Sequence, residues 1–147
     1  LSDLEDALVE TGATLAFDAI GGGCLVSDIL FSMERALSRG AFGLNTYGLS
    51  TLKQAYFYGR LDQSPAILNR NYGTMWSVSG WLLTPFLKRI GAGREAQLRQ
   101  RVADEITTTF ESCYAEELTL EEAISPEIVA RYITKKTGEK YLINPNK

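Results

Sequence analysis

Residues 13–23 read Ala13-Thr-Leu-Ala-Phe-Asp-Ala-Ile-Gly-Gly-Gly23, and how this stretch is read decides the fold. A mostly apolar run leads up to an acid, and three glycines follow. Behind them Val26, Ile29, Leu30, Met33 and Leu37 recur at helical spacing. A short apolar run bounded by glycine predicts a buried strand, and the three-and-four spacing predicts a helix. Glycine between the two lets backbone or ligand approach with no Cβ in the way. This is the strand–turn–helix joint of an open α/β sheet, in which ligands bind at the carboxyl ends of the strands. A plain strand-to-helix connection with no ligand is the other reading of these residues.

Working outward, Ser2-Asp-Leu-Glu5 has the spacing of a capping box and predicts a helix from Ser2 to about Gly12. The helix that starts at Cys24 runs to about Arg39, with Gly40 placed as a left-handed cap. Residues 41–52 form a long irregular loop. Residues 53–58, Lys-Gln-Ala-Tyr-Phe-Tyr, make an aromatic-rich strand closed by Gly59. Ser64-Pro65 predicts a short helical turn. From Thr74 to Ser79 a third strand alternates Met75, Ser77 and Ser79 against Trp76 and Val78, as at a sheet edge.

Residues 81–90 are helical in pattern, interrupted by Pro85. From Arg94 to Phe110, Leu98, Val102, Ile106 and Phe110 make one helical stripe, which three threonines at 107–109 weaken at its end. Thr119-x-x-Glu122 and Ser125-Pro126 each open a short helix, the second ending at Lys135, Lys136 and Gly138. Tyr141-Leu-Ile143 is a final strand, stopped by Pro145.

At 147 residues the chain has a single-domain length with enough material for one core. A net charge of -3 argues against nucleic acid, which demands a clustered basic surface. The densest basic run (Lys88, Arg89, Arg94, Arg99 and Arg101) reads as a solvated helix face. No apolar run reaches the roughly 20 residues of a membrane span, and no secretory signal opens the sequence. Two distant cysteines, Cys24 and Cys113, suggest reduced thiols and a cytoplasmic setting. Histidine is absent, so Ser-His-Asp, Cys-His and His-bearing zinc sites are excluded, and no metal site is expected. Acid–base chemistry would fall to carboxylates, lysine or tyrosine. The sequence opens at Leu1, with no methionine and directly in a helical pattern, which reads as part of a longer protein.

Among the motifs, Gly91-Ala-Gly93-Arg-Glu-Ala96 fits a dinucleotide fingerprint by letter, but a helix and not a strand precedes it. The fingerprint works only where a strand leads the pyrophosphate to a helix N-terminus, so a helix–helix link is the better reading. Asp18 could be catalytic, could bond a ribose or could cap the following turn, the last being the commoner fate of such an aspartate. Cys24 is either a helix-start thiol or, more often for such a residue, buried packing. Arg60, after Gly59, suits a phosphate or a surface ion pair equally. Alternation places Phe57 on one side of its strand and Tyr56 and Tyr58 on the other.

Together, residues 12–22, residues 53–59 and the tail from Leu120-Glu-Glu-Ala-Ile124 to Gly138-Glu-Lys-Tyr-Leu-Ile-Asn-Pro145 resemble the second half of a medium-chain dehydrogenase/reductase cofactor domain. That family includes zinc-binding alcohol dehydrogenases and zinc-free quinone oxidoreductases. The chain departs from the family's pattern in the 41–52 loop and the long helix after Arg94. The resemblance implies a partial Rossmann α/β/α fold, its C-terminal half, with the cofactor portion over 1–118 and a returning tail over 119–147. It implies a part of an NAD(P)-dependent oxidoreductase, using NADP or NAD to move hydride to or from a carbonyl, alcohol or quinone.

By the same resemblance Ile20, Gly21 and Gly22 lie near the nicotinamide ribose. Tyr58, Gly59 and Arg60 line the nicotinamide pocket, with Ser77 and Val78 close by and Lys140 matching the family's G-K. The fingerprint glycines, any zinc ligands and the catalytic residues would precede Leu1, so the chain alone would be inert. The rival class is a non-catalytic α/β binding or interaction module. A hydrolase would lack both histidine and a G-x-S-x-G elbow. The edge strand from Thr74 to Val78 carries neither charge nor proline, and it is the strand through which this family commonly joins two sheets, so a homodimer is expected there.

Overall fold

A computed structural model describes residues 1–39, 46–134 and 140–146. The expected Gly40 cap, residues 41–45 of the 41–52 loop and the Lys135, Lys136 and Gly138 helix end lie outside them. The chain divides into two compact units, Leu1–Arg89 and Ile90–Lys147.

The first unit carries α1 (Ser2–Thr11), β1 (Leu15–Asp18), α2 (Leu25–Ser38), β2 (Lys53–Phe57), β3 (Trp76–Gly80) and most of α3 (Leu83–Ile90). Its strands form one parallel sheet in the order β1-β2-β3, so β1 and β3 are both edges. Register sets Phe17 opposite Tyr56 and Tyr56 opposite Ser79. The expected α/β class and its three parallel strands are therefore present.

One sheet face holds the core. Val26, Leu30, Met33 and Ala36 of α2 pack with Leu8 of α1, Ala55 of β2 and Tyr72, and Phe57, Trp76 and Val78 close around them. Burying one such aliphatic side chain stabilises by about 1.5–3 kcal/mol. Lys53, fully buried, sits on this side and pairs with Glu34 of α2 at 2.5 Å. On the opposite face Phe17 stacks on Tyr56 at 5.5 Å, and Tyr58 meets Phe17 edge-on. This is the separation of Phe57 from its flanking tyrosines that strand alternation predicts.

Several local expectations give way to tertiary contacts. The Ser2 capping box does not form: Leu1 is the N-cap, and the Ser2 hydroxyl donates to Asp3 at 3.2 Å. Glu5, which would complete the box, instead pairs with Arg35 and Arg39 of α2, each at 2.8 Å. Ser64-Pro65 starts no helix. Its segment runs extended beside Gly23, whose N–H donates to the Pro65 carbonyl while Ile67 N–H donates back to Gly23. Pro85 lies in the first turn of α3, where its missing N–H has no helical partner to lose, so it does not interrupt the helix. Cys24 is exposed at the N-cap of α2 and not packed inside.

The second unit contains α4 (Ala92–Asp104), β4 (Glu116–Leu118), α5 (Leu120–Ala123), α6 (Pro126–Ile133) and β5 (Tyr141–Ile143). β4 and β5 pair in parallel as their own small sheet. Gly91 (φ +82°) is the N-cap of α4, which confirms the G-x-G-x-x-A match as a helix link. α4 stops at Asp104, short of the expected Phe110, ahead of the β-branched threonines. Thr119 and Glu122 form a complete capping box on α5, and Ser125 caps α6 ahead of Pro126. Among the described residues no helix is long and apolar enough to cross a membrane.

Candidate functional site

The carboxyl ends of the three strands converge on a cavity of about 650 Å³. Three connections build it. The first follows β1, where the Asp18 carboxylate, buried in the turn, accepts from Ile20 N–H at 2.7 Å and Gly21 N–H at 3.2 Å. Asp18 thus takes the turn-forming role, which leaves its carboxylate engaged with backbone. The second connection follows β2: Tyr58 and Gly59 N–H both donate to the Asp18 carbonyl, at 2.9 and 3.2 Å, and Asp62 N–H donates to Ile20. The third follows β3, where Trp81 N–H donates to the Phe57 carbonyl at 2.8 Å and carries its ring across to Phe17, edge-on at 5.5 Å.

The glycines are required by how tightly these connections close. A Cβ on Gly59 would overlap the Ala19 backbone. One on Gly22 would stand 2.6 Å from both the Asp62 carboxyl carbon and the Ser64 hydroxyl. The space beside Gly22 is therefore filled by protein.

Of the residues expected at the site, Gly21, Tyr58, Gly59 and Arg60 line the cavity together. Ile20 stands exposed in the preceding turn, and Gly22 is buried against Asp62 and Ser64. Ser77 lies on the aromatic face of β3, accepting from Gln54 at 3.3 Å, while Val78 points into the core; neither borders the cavity. Lys140 belongs to the second unit, where its ammonium donates to the Ser112 hydroxyl. Sequence reasoning missed Asp62, Gln63 and Ser64 and the far wall of Trp81, Leu82 and Pro85. The carboxyl-end rule applied to β3 would have found Gly80 and Trp81.

The wall has a definite chemical character. Trp81, Leu82 and Pro85 offer a flat apolar side, and Arg60 a cation with no ion pair or hydrogen bond among the described residues. Asp62 supplies a carboxylate, whose Oδ1 accepts from Ser64 N–H at 2.8 Å. Such a wall could hold a flat apolar group beside an anionic one. It does not fit a pyrophosphate at the glycine turn, because the N–H groups of Ile20, Gly21 and Gly23 are already bonded and a carboxylate stands beside Gly22. Among the described residues no cluster of three His, Cys, Asp or Glu is placed to hold a metal ion.

No protein-family model matches the chain, and neither does any curated protein. Among solved structures it is similar to the crystal structure of a candidate NADPH:quinone reductase from Mesorhizobium loti, with a TM-score of 0.61 and 18% sequence identity. That likeness covers 98% of this chain and 37% of the reductase, so the chain spans little more than a third of its neighbour's length. At such identity the likeness shows the fold alone: a mixed α/β chain with parallel sheets, matching a partial Rossmann-like domain.

Proposed function

We propose that the chain is the C-terminal part of the cofactor domain of an NAD(P)-dependent oxidoreductase, running from residue 1 to 118 with a returning tail over 119–147. The observation that carries this reading is the cavity at the carboxyl ends of three parallel strands, with Gly21, Tyr58, Gly59 and Arg60 in its wall. The neighbour's description as an NADPH:quinone reductase supports the same direction.

A bound NADPH or NADH would supply hydride for a carbonyl or quinone, or its oxidised form would accept hydride from an alcohol. This chain's share is positioning. Gly21 and Gly59 bring bare backbone to the nicotinamide end, and Trp81 and Leu82 keep water from one side of the ring. Arg60 offers charge to the ribose phosphate nearest it. The pyrophosphate would be held by residues outside this chain, since the glycine turn has spent its amides. Ile20, Gly22, Ser77 and Val78 would act behind this wall, and Lys140 from the second unit. We place the protein in the cytoplasm, in line with its two free thiols.

Calorimetry of the longer protein with NADPH and with NADH tests the reading. Binding of at least one, weakened about tenfold by Arg60→Ala as expected for loss of a charge-assisted contact, supports it. Binding of neither overturns it in favour of a non-catalytic α/β binding module. The filled space beside Gly22 is the observation that favours that rival.

The oligomeric proposal is a homodimer through β3. This strand is an edge, and from Thr74 to Val78 it carries no charge or proline to discourage pairing. Sedimentation should show a dimer for the wild type and a monomer for Val78→Pro, and a monomeric wild type ends the idea.

A further inference from the structure

A second, smaller cavity of about 270 Å³ adjoins the first on the other side of Trp81. Its walls are aromatic: Trp81 and Phe86 have centroids 5.5 Å apart and planes inclined by 45°. The two rings touch each other, and their half-buried faces together offer a flat guest an apolar surface for the offset or edge contacts that aromatic rings prefer. Tyr56 and Ser79 bring two hydroxyls to it. The Tyr56 hydroxyl accepts weakly from Gln54 at 3.3 Å, whereas the Ser79 hydroxyl has no hydrogen bond among the described residues.

Arg89 completes the lining. Its guanidinium lies 5.9 Å from the centre of the Phe86 ring and, among the described residues, has no ion pair and no hydrogen bond. Held against an aromatic face, the guanidinium keeps its planar fork of donors free for an anion. Elsewhere Arg35, Arg39, Arg99, Arg101 and Arg131 pair with carboxylates, and Arg94 donates to the Gln97 side chain. An uncompensated cation beside a small aromatic cleft that carries the Tyr56 and Ser79 hydroxyls makes a combined site. The rings would take a planar group, the hydroxyls a polar substituent and the guanidinium a negative charge.

We propose that this cleft is a binding site for a small aromatic carboxylate, its ring against the wall of Trp81 and Phe86 and its carboxylate on Arg89. The cavity, just below the roughly 300–1,000 Å³ of drug-sized ligand pockets, has the size for a single-ring ligand and is too small for a nucleotide. The site stands independently of the dinucleotide reading. A bidentate carboxylate on Arg89 adds both attraction and orientation, so the charged ligand should outbind its neutral amide by about tenfold or more.

The test uses the full 147-residue chain and two probes, benzoate and benzamide, followed by the indole N–H resonances of its two tryptophans. Trp81 is assigned by Trp81→Phe, and Trp76, packed against Tyr72 in the core, serves as the internal control. Benzoate should shift the Trp81 signal saturably, with a dissociation constant on the order of 1 mM for so few atoms. Benzamide should bind at least about tenfold more weakly. Arg89→Gln should bring benzoate down to the benzamide level while the rest of the spectrum stays folded, and Arg89→Lys should restore part of the difference. Equal binding of the two probes, an unchanged Arg89→Gln variant, equal shifts at Trp76, or no shift with either probe would each overturn the proposal.

Discussion

Removing the ammonium of Lys53 should destabilise the first unit more than removing any single exposed charge. The side chain is fully buried at the start of β2, with Nζ 2.5 Å from a Glu34 carboxylate oxygen and 3.2 Å from the Thr51 carbonyl. Glu34 is itself committed, accepting from Leu49 N–H at 2.9 Å while Gly48 and Gly73 crowd its carboxylate. At an effective dielectric of about 20, two charges at this separation attract by roughly 7 kcal/mol, most of which is offset by the several kcal/mol each ion loses on leaving water. The net value of the pair is therefore small, but the cost of orphaning one member is not. Lys53→Met leaves a largely sequestered carboxylate, 14% exposed, without its cation, and about 3 kcal/mol of stability should be lost. The double variant Lys53→Met/Glu34→Leu removes both charges and leaves the Leu49 N–H and the carbonyl of exposed Thr51 without these partners, so it should lose only about 1–3 kcal/mol. Urea unfolding with m-values compared across the set reads these differences. A Lys53→Met loss under about 1 kcal/mol, or a double variant less stable than the single, would refute the reasoning.

Three further outcomes are expected. Gly59→Ala should destabilise strongly, because its Cβ would overlap immovable Ala19 backbone, whereas Gly80→Ala, with nothing within 4 Å of its Cβ, should be close to neutral; equal urea midpoints would contradict the packing. Tyr72→Phe should stabilise by about 1 kcal/mol or more, since the buried phenol oxygen has no partner among the described residues, and a loss of similar size would show that the hydroxyl is satisfied. The hydrogen bond from Arg39, with help from Arg35, holds Glu5 below its ordinary value of 4.5. A depressed carboxylate contributes stability that is complete above that ordinary value and lost as pH falls through the lower folded one. Acid unfolding of the wild type should therefore steepen below about pH 4.5, and Arg39→Met should reduce that part of the dependence to what Arg35 sustains; superimposable curves would dismiss it.

The elements themselves were legible because local signals set them. Period-two and period-3.6 patterns placed β1, α2, β2 and β3, and the Thr119 and Ser125 caps formed as their spacing predicts, each satisfying its own backbone within three residues. Four of the cavity's residues, Gly21, Tyr58, Gly59 and Arg60, were among those that the family resemblance implied, and each follows a strand end in sequence. What the sequence by itself could not determine were the competitions between a local partner and a distant one. Glu5 was free to complete a capping box or to meet Arg35 and Arg39 some 30 residues away, and only the packing of α1 on α2 made the second choice available. Ser64-Pro65 had a helical signal, and the hydrogen bonds offered by Gly23 drew the segment into extended pairing. The Asp62 carboxylate beside Gly22, the Trp81 ring reaching Phe17 across the sheet and the burial of Lys53 on Glu34 follow from the same cause. A local hydrogen bond contributes about 1 kcal/mol, and the tertiary structure replaces it wherever a distant group offers an equal bond together with buried area.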